Sequence, residues 1–364
     1  MGEERVILRP PLQRRREGEI LDEVPEPLGL VLWQDVRHLR AWAESSDEAR
    51  AGLFHPPTPR SRLLRREAQL SAGALGDALA AFGALTAAPL AAQVRRLTEG
   101  CVQVAAWALD GGRAQTAIEY AEVAALLDPA DPALANLAGR VTRNAGELAR
   151  AEVWFNRAIG FARMQGKPIE LTRAHLGYGI LCQELGRVQC AMRHFNSGSR
   201  LARKEGLEWL AAEVQHDLAL LLTVRGRFPL AEKHAQLALR WYGKRHERFP
   251  LFAADVALMM VMERNYHLAA RIARGALKHV SHPAARAVIL ALHARALAGA
   301  GHAEELDRIR RRALRITREY REREAVVLWH LAAAERLAGR WEEAERSAAA
   351  AVEIARSRRD RETA

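Results

Sequence analysis

Small residues recur along most of this 364-residue chain in four columns that keep a constant spacing. A small residue is followed after seven positions by glycine, after five more by alanine, and after a further seven by another small residue. The first column is Ala105, Gly139, Gly179, Ala219, Ala257, Ala294 and Ala332, and the second is Gly112, Gly146, Gly186, Gly226, Gly301 and Gly339. The third is Ala117, Ala151, Ala191, Ala231, Ala269 and Ala344, and the fourth is Ala124, Ala158, Gly198, Ala238, Ala276, Ala313 and Ala351. The exceptions are Arg264 in the second column and Leu306 in the third, and third-column positions lie 34–40 residues apart. Such a period predicts a helical solenoid.

Each unit is predicted to form a helix, a tight turn and a second helix. In the second unit the helices are expected over residues 134–143 and 148–163, with Gly146 in the turn, where a left-handed backbone costs glycine little. Gly139 is expected to face the third- and fourth-column alanines of its own unit, because small residues let two helix backbones approach closely. We expect Phe155 to point toward the next unit instead.

These residues give the pattern a recognisable form, since the best-matching unit carries Gly139, Gly146, Ala151, Phe155 and Ala158. This pattern resembles the tetratricopeptide repeat, in which a small residue, a turn glycine and A-x3-F-x2-A recur. The long period is similar to that of the longer-repeat subgroup used in adaptors and bacterial sensors. The family's Trp and Tyr in the first helix are mostly replaced here by Ala, His, Cys or Leu. The resemblance implies an all-α, right-handed superhelix of antiparallel helix pairs.

The register divides the chain into five segments. They are a flexible arm (1–28), a helical cap with a Pro-rich linker (29–59), a degenerate first repeat (60–97), seven repeats (98–356) and a basic tail (357–364). The cap is predicted from an amphipathic pattern at Leu32, Val36, Leu39 and Ala43, and Ser46 is expected to begin a short helix after it. We interpret the cap as a lid over the first repeat, and a separate docking element is the alternative.

The formal charge of +11 comes from 50 Arg and only five Lys, set against 44 acidic residues. Together with the alanine content, this indicates a GC-rich, bacterial coding bias, although a basic protein still favours acidic partners. The longest apolar run, residues 252–262, is too short to span a membrane, and no secretory signal is evident. Cys182 and Cys190 are expected to be buried thiols, and we predict a cytoplasmic protein.

No catalytic motif is present, because the chain lacks a P-loop, a GxSxG elbow and a dinucleotide glycine fingerprint. His279 and His282 have no third ligand at metal spacing, so no metal site and no cofactor are predicted. The arginine-rich run over residues 308–323 is interleaved with carboxylates and is expected to form a solvated outer face. Nucleic-acid binding through that face is the less favoured alternative.

Proteins of the resembled family bind their partners in a groove lined by fixed positions of the first helices. By analogy, the groove residues here are Asn136, Arg140, Arg143, Asn144, Arg173, Gln183, His216, Arg295, Trp329 and Arg336. Their chemistry suits an extended acidic peptide, held by charge-assisted hydrogen bonds, and the cluster at 136–144 is the best candidate. The family's carboxylate clamp is not predicted, because Glu213 and Asp217 occupy the third unit that it would need.

The predicted function is therefore that of a non-enzymatic scaffold or adaptor. A peptide-sensing regulator is the alternative, by resemblance to bacterial regulators built on long tetratricopeptide arrays. A direct nucleic-acid binder is less favoured. The last repeat has no evident capping helix, so Val352 and Ile354 are expected to be partly bare and could support self-association.

Overall fold

The computed structural model describes residues 19–55, 57–242, 246 and 248–360, apart from the side chains of residues 19, 322 and 357–360. All regular structure in these ranges is helical, and none of these helices is long and apolar enough to cross a bilayer. The chain forms two compact units. Unit 1 comprises Met1–Ala145 and Ala149–Ala174, and unit 2 comprises Gly146–Leu148 and His175–Ala364.

The described helices follow the predicted register. The first nine are α1 (Glu19–Glu23), α2 (Leu28–Glu44), α3 (Asp47–Arg50), α4 (Pro59–Ser71), α5 (Gly76–Ala87), α6 (Val94–Asp110), α7 (Ala114–Leu127), α8 (Pro132–Asn144) and α9 (Leu148–Met164). The division between the units falls within α10 (Pro168–Glu184). The rest are α11 (Val188–Lys204), α12 (Glu208–Val224), α13 (Phe228–Tyr242), α14 (Phe249–Met262), α15 (Tyr266–Leu277), α16 (Pro283–Gly299), α17 (Leu306–Thr317), α18 (Glu324–Leu337) and α19 (Trp341–Asp360).

Consecutive helices pack as pairs, which confirms the predicted all-α fold of antiparallel helix pairs. In unit 1, α6 packs on α7, and in unit 2 the pairs are α12 with α13, α14 with α15, α16 with α17 and α18 with α19. Within unit 2 the first helices α12, α14, α16 and α18 also contact one another in order. Their side chains therefore share one face, and this face carries the candidate site.

The backbone conformation of the turns explains why the second column is glycine. Its six glycines all have positive φ, between 68° and 88°. Arg264, the exception in that column, has a φ of 63°, so it adopts the same left-handed turn without being glycine. This conformation strains any residue with a Cβ atom. The turn geometry is therefore kept in all seven repeats, even where the sequence departs from the pattern.

Glycines in the first column allow a ring to pack directly on the helix backbone. A Cβ atom at Gly179 would lie 2.5 Å from the Phe195 ring, and one at Gly139 would lie 2.9 Å from the Phe155 ring. Our expectation that Phe155 points toward the next unit is therefore wrong. It fills the space inside its own helix pair, because only glycine leaves room for an aromatic ring there.

The N-terminal segment is ordered further than predicted. Residues 19–28 belong to the expected flexible arm, yet Glu19–Glu23 is helical, and Ile20 and Val24 are buried. Residues 1–18 lie outside the described residues. At the other end, α19 continues to Asp360 and so includes half of the predicted basic tail, of which residues 361–364 are also outside the described part.

Three hydrogen bonds join the N-terminal helices α1 and α2 to α7, in the first of the seven regular repeats. The Glu23 carboxylate accepts hydrogen bonds from the backbone N–H groups of Gln115 (2.9 Å) and Thr116 (2.8 Å), at the start of α7. It thereby supplies the N-terminal cap that α7 lacks in its own sequence. The buried Tyr120 hydroxyl donates to the Leu32 carbonyl (2.8 Å). Helices α1 and α2 consequently pack against α7.

The structure joins Cys182 and Cys190 in a disulfide, so our prediction of two buried thiols is wrong. These residues lie on α10 and α11, on either side of the Gly186 turn, with their Cα atoms 5.8 Å apart. The tight turn places the two helices side by side, and this separation falls in the normal range for a disulfide. Cys101 is the free cysteine and is buried.

Candidate functional site

Three successive first helices of unit 2 bring together one side chain each: Met262 from α14, Arg295 from α16 and Trp329 from α18. We call this group the Arg295 site. The guanidinium carbon of Arg295 lies 5.1 Å from the centre of the Trp329 ring, and Nη2 of Arg295 donates to the Met262 sulfur (3.6 Å). The Trp329 side chain remains 45% exposed, so the site is open to solvent on one side.

The described residues satisfy the guanidinium of Arg295 only in part. Its Nε and Nη1 atoms are buried without a hydrogen-bond partner, and among the described residues no carboxylate pairs with it. Burial lowers the pKa of the guanidinium, and the neighbouring Arg336 lowers it further, although Tyr266 acts in the opposite direction. Two donors of this half-buried cation therefore lack an acceptor in the described part of the chain.

His330 forms the buried floor next to Trp329. The two rings are 4.6 Å apart, and His330 is only 3% exposed. Burial lowers the pKa of His330 to about 3, and the charge of Arg295 contributes to the shift. The imidazole is therefore neutral at physiological pH, and it adds no positive charge that would compete with Arg295 for an anion.

Sequence reasoning missed two members of this environment, because it selects neither Met262 nor His330 as a groove residue. The only sequence signals were the position of Met262 at the end of a first helix and the adjacency of His330 to Trp329. Neither signal separates a groove residue from a packing residue.

His216 has a different role from the predicted one. It is buried, and its Nε2 atom hydrogen-bonds Oδ2 of Asp255 (2.8 Å). Nearby, Arg248 donates to Glu213 (2.9 Å) and Asp217 (3.4 Å). We therefore remove His216 from the set of partner-binding residues, because its ring is committed to a polar network between α12 and α14. That network also accounts for Glu213 and Asp217, the carboxylates that interrupt the clamp pattern.

In unit 1 the predicted cluster lies along α8. Asn136 is 7% exposed, and its Oδ1 atom is buried without a hydrogen-bond partner. Arg140 is exposed, while the half-buried Arg143 donates to Oδ1 of Asn144 (2.9 Å). Arg173, on α10, is exposed. The cluster thus combines an exposed cation with a buried amide oxygen that lacks a partner.

The remaining predicted groove residues lie in unit 2. Gln183 is half-buried on α10, and Arg336 is exposed on α18, where it acts electrostatically on Arg295. In the arginine-rich run, Nε of Arg310 on α17 donates to the buried carboxylate of Glu335 on α18 (2.9 Å). This arginine therefore has a packing role, and it is not available for phosphate contacts.

Comparison with known proteins gives matches only at the level of structure. No family model matches the chain, and no curated protein matches it. It is similar to the crystal structure of a Rap protein complexed with competence and sporulation factor, with a TM-score of 0.60 and 11% identity over 92% of this chain and 99% of that one.

Two further solved structures also match. A tetratricopeptide repeat protein from Parabacteroides merdae ATCC 43184 is 18% identical over 71% of this chain and 93% of its own, with a TM-score of 0.42. The TPR domain of P58(IPK) is 14% identical over 83% and 96%, with a TM-score of 0.22. At these identities the likeness concerns the fold alone. The chain thus has the tetratricopeptide-like fold that its small-residue columns predicted.

Proposed function

We propose that this chain is a non-enzymatic scaffold that binds an extended acidic peptide segment. In this proposal, Arg295 holds a carboxylate of the peptide and Trp329 contacts the adjoining apolar atoms. The observation that carries the proposal is the state of Arg295, which is half-buried, stacked on an exposed tryptophan and unpaired with any carboxylate of the described residues.

The energetic argument favours an anion over a neutral ligand. Burying donors of a cation without acceptors costs about 1–3 kcal/mol or more, and a ligand carboxylate removes that cost when it binds. The two unsatisfied donors, Nε and Nη1, lie on different edges of the guanidinium, so each can donate one directed, charge-assisted hydrogen bond to a carboxylate oxygen. Met262 supplies a flexible apolar edge that tolerates different peptide side chains.

Unit 1 contributes independently under this proposal. Arg140 offers an exposed cation, and the Asn136 oxygen can accept a backbone N–H of an extended segment. Both residues occupy the groove register of α8. Their contribution is measured separately from that of Arg295, by substituting Arg140 alone.

The test uses two pools of unlabelled ten-residue peptides, one with Asp or Glu at alternate positions and one with Lys at those positions. We expect isothermal titration calorimetry to detect binding of the acidic pool only. Arg295→Gln should weaken it at least about tenfold, since a charge-assisted hydrogen bond is lost. Arg295→Lys should recover only part of the affinity, because an ammonium keeps the charge but does not stack on Trp329 as the planar guanidinium does.

The matched control is Arg311→Gln, which removes an exposed arginine from α17 in the same unit. It should leave affinity unchanged, because general charge is not the cause of binding. Equal binding of the basic pool, or wild-type affinity in Arg295→Gln, would refute the assignment. Loss of binding in Arg311→Gln to the same degree would instead indicate a nonspecific electrostatic effect.

The predicted self-association remains a proposal of the same kind. On α19, Val352 is 48% exposed and Trp341 is 68% exposed, while Ile354 is half-buried. Residues 341 and 352 are eleven positions apart and therefore lie on one side of the helix. This apolar side is where we propose that a second copy would pack.

A further inference from the structure

The N-terminal helices of unit 1, α1–α5, form a region that we call the head. This region contains a cavity that the peptide proposal does not use. Its volume is about 810 Å³, and it lies among α2, α4 and the segment that connects α3 to α4. Cavities that hold small organic ligands usually measure about 300–1,000 Å³. Size alone therefore permits a ligand with one or two rings.

Aromatic side chains form part of its wall. The rings of His38 and Phe54 are in edge-to-face contact, with their centres 5.0 Å apart. Trp33 also lines the cavity, and the guanidinium of Arg37 lies 4.7 Å from the centre of its ring. Flat apolar surfaces of this kind favour a planar ligand, because offset or edge-on ring contacts add to simple area burial.

Two buried nitrogen atoms in this wall have no hydrogen-bond partner. They are Nε1 of Trp33, which can only donate, and Nδ1 of His38. Both residues line the cavity. Buried polar atoms in native proteins are nearly always satisfied, so this pair indicates that a polar group of a ligand belongs beside them.

The charge of the lining is positive. Four arginines line the cavity against two glutamates, Glu44 and Glu119. Arg40 is paired with Glu119 (2.8 Å), and Arg65 is paired with the buried Asp35. Arg62 has no carboxylate partner among the described residues, and it lies at the exposed side of the cavity. A ligand that carries a negative charge would complete its pairing.

We propose that this cavity binds a small organic anion with a planar apolar body, for which an aromatic carboxylate is the simplest representative. The body lies against Trp33 and Phe54, an acceptor atom of the ligand takes the Trp33 N–H, and Arg62 pairs with the negative group. This site is separate from the Arg295 site, which lies in unit 2, so each proposal can fail without the other.

Isothermal titration calorimetry of the full chain tests the proposal with three probes. These are 2-naphthoate, the neutral 2-naphthalenemethanol as a match for shape, and inorganic phosphate as a match for charge. We expect 2-naphthoate to bind at least about tenfold more tightly than either of the others, because only this probe has both the ring and the charge.

Three variants locate the binding. Arg62→Gln changes an exposed residue and should leave the fold intact, yet weaken 2-naphthoate about tenfold. Trp33→Phe keeps a ring but removes the N–H, and it should weaken binding by several-fold or more. The control Arg311→Gln, in unit 2, should bind as the wild type does.

Several outcomes would overturn the inference. These are the absence of heat with 2-naphthoate, equal affinity for 2-naphthalenemethanol, equal affinity for phosphate, or unchanged binding in Arg62→Gln and Trp33→Phe. A loss of binding in Arg311→Gln as large as in Arg62→Gln would also overturn it. Arg295→Gln separates this proposal from the peptide proposal. It should weaken binding of the acidic peptide pool and leave 2-naphthoate binding unchanged.

Discussion

Asp35 makes the head of unit 1 sensitive to pH. Its side chain is fully buried on α2, where Nη1 of Arg65 donates to Oδ2 (3.2 Å) and Nη2 contacts Oδ1. Burial raises the pKa of Asp35 from 3.8 to about 6, even though the charge and hydrogen bonds of Arg65 act to lower it. The cost of removing this carboxylate from water therefore outweighs its ion pair.

The sign of the effect follows from the direction of this shift. A carboxyl whose pKa is higher in the folded state contributes stability that is fully present below about pH 4. That stability is lost as pH rises through about 6. The pKa difference between 3.8 and about 6, at about 1.36 kcal/mol per unit, corresponds to roughly 3 kcal/mol at pH 7. The head should thus become less stable relative to its unfolded form between pH 4 and pH 7.

Substitution Asp35→Asn removes the titration. Hydrogen exchange with mass spectrometry at several pH values measures the free energy of local opening of α2. As pH rises from about 4 to 7, we expect this free energy to fall in the wild type by up to about 3 kcal/mol more than in the variant. Full-chain unfolding is less suitable, because repeat proteins open in parts. Glu67→Gln, which neutralises an exposed carboxylate on α4, is the matched control and should follow the wild-type profile.

The result that would refute this reasoning is a constant difference between wild type and Asp35→Asn at every pH. Asp35 would then titrate at its ordinary pKa in the folded protein, because the Arg65 pair would balance the cost of burial. If the wild type instead lost stability relative to Asp35→Asn as pH falls, the sign would be reversed, and the Arg65 pair would outweigh burial.

Three further predictions concern the repeats. Arg264→Gly should stabilise its turn by about 0.5–1 kcal/mol, and Gly226→Arg, the reciprocal change at a φ of 68°, should destabilise its turn by about 1–2 kcal/mol. Hydrogen exchange in the flanking helices measures both, and a change of the same sign in the two variants would contradict the left-handed geometry. Glu122 accepts hydrogen bonds from Nε1 of Trp154 (2.9 Å) and Nε of Arg150 (3.1 Å), so Glu122→Ala should destabilise the contact of α7 with α9 by about 3 kcal/mol, and Glu122→Gln by less. Thiol titration of the denatured, unreduced protein should find Cys101 alone reactive; three reactive thiols would show that the disulfide does not form.

The sequence predicted the fold well because its repeating columns report backbone requirements. A residue with positive φ or a helix crossing at short distance restricts the residue type directly, so the columns identify turns and crossings. Even Arg264 kept the turn, because six similar turns and the surrounding helix pairs leave no other path for the chain. The partner that a side chain contacts does not restrict the residue type in this way. The disulfide between Cys182 and Cys190 was therefore not predicted.

The groove was harder to predict, because the repeat register determines on which face of a helix a residue lies but does not determine whether its side chain is buried. His216 and Trp329 both stand three residues before the first column, yet they are 2% and 45% exposed. His216 is buried because Asp255, on the next first helix, accepts its hydrogen bond. Trp329 instead has a neutral neighbour beneath it and an arginine beside it. Whether a residue at this position is buried or exposed therefore depends on the side chains of the adjacent repeat.

This dependence indicates which sequence signal locates the Arg295 site. Arg140 and Arg295 both follow the first column by one residue, but Arg140 is exposed and Arg295 is largely covered. In the next repeat, three residues before the first column, the chain has Leu176 after Arg140 and Trp329 after Arg295. Among the seven repeats, an arginine at the first position followed by an aromatic residue at the second occurs only at this pair. Under the proposed function, this diagonal pair, rather than the number of arginines, marks the binding site, because the next repeat places a ring beside the arginine and no carboxylate of the described residues pairs with it.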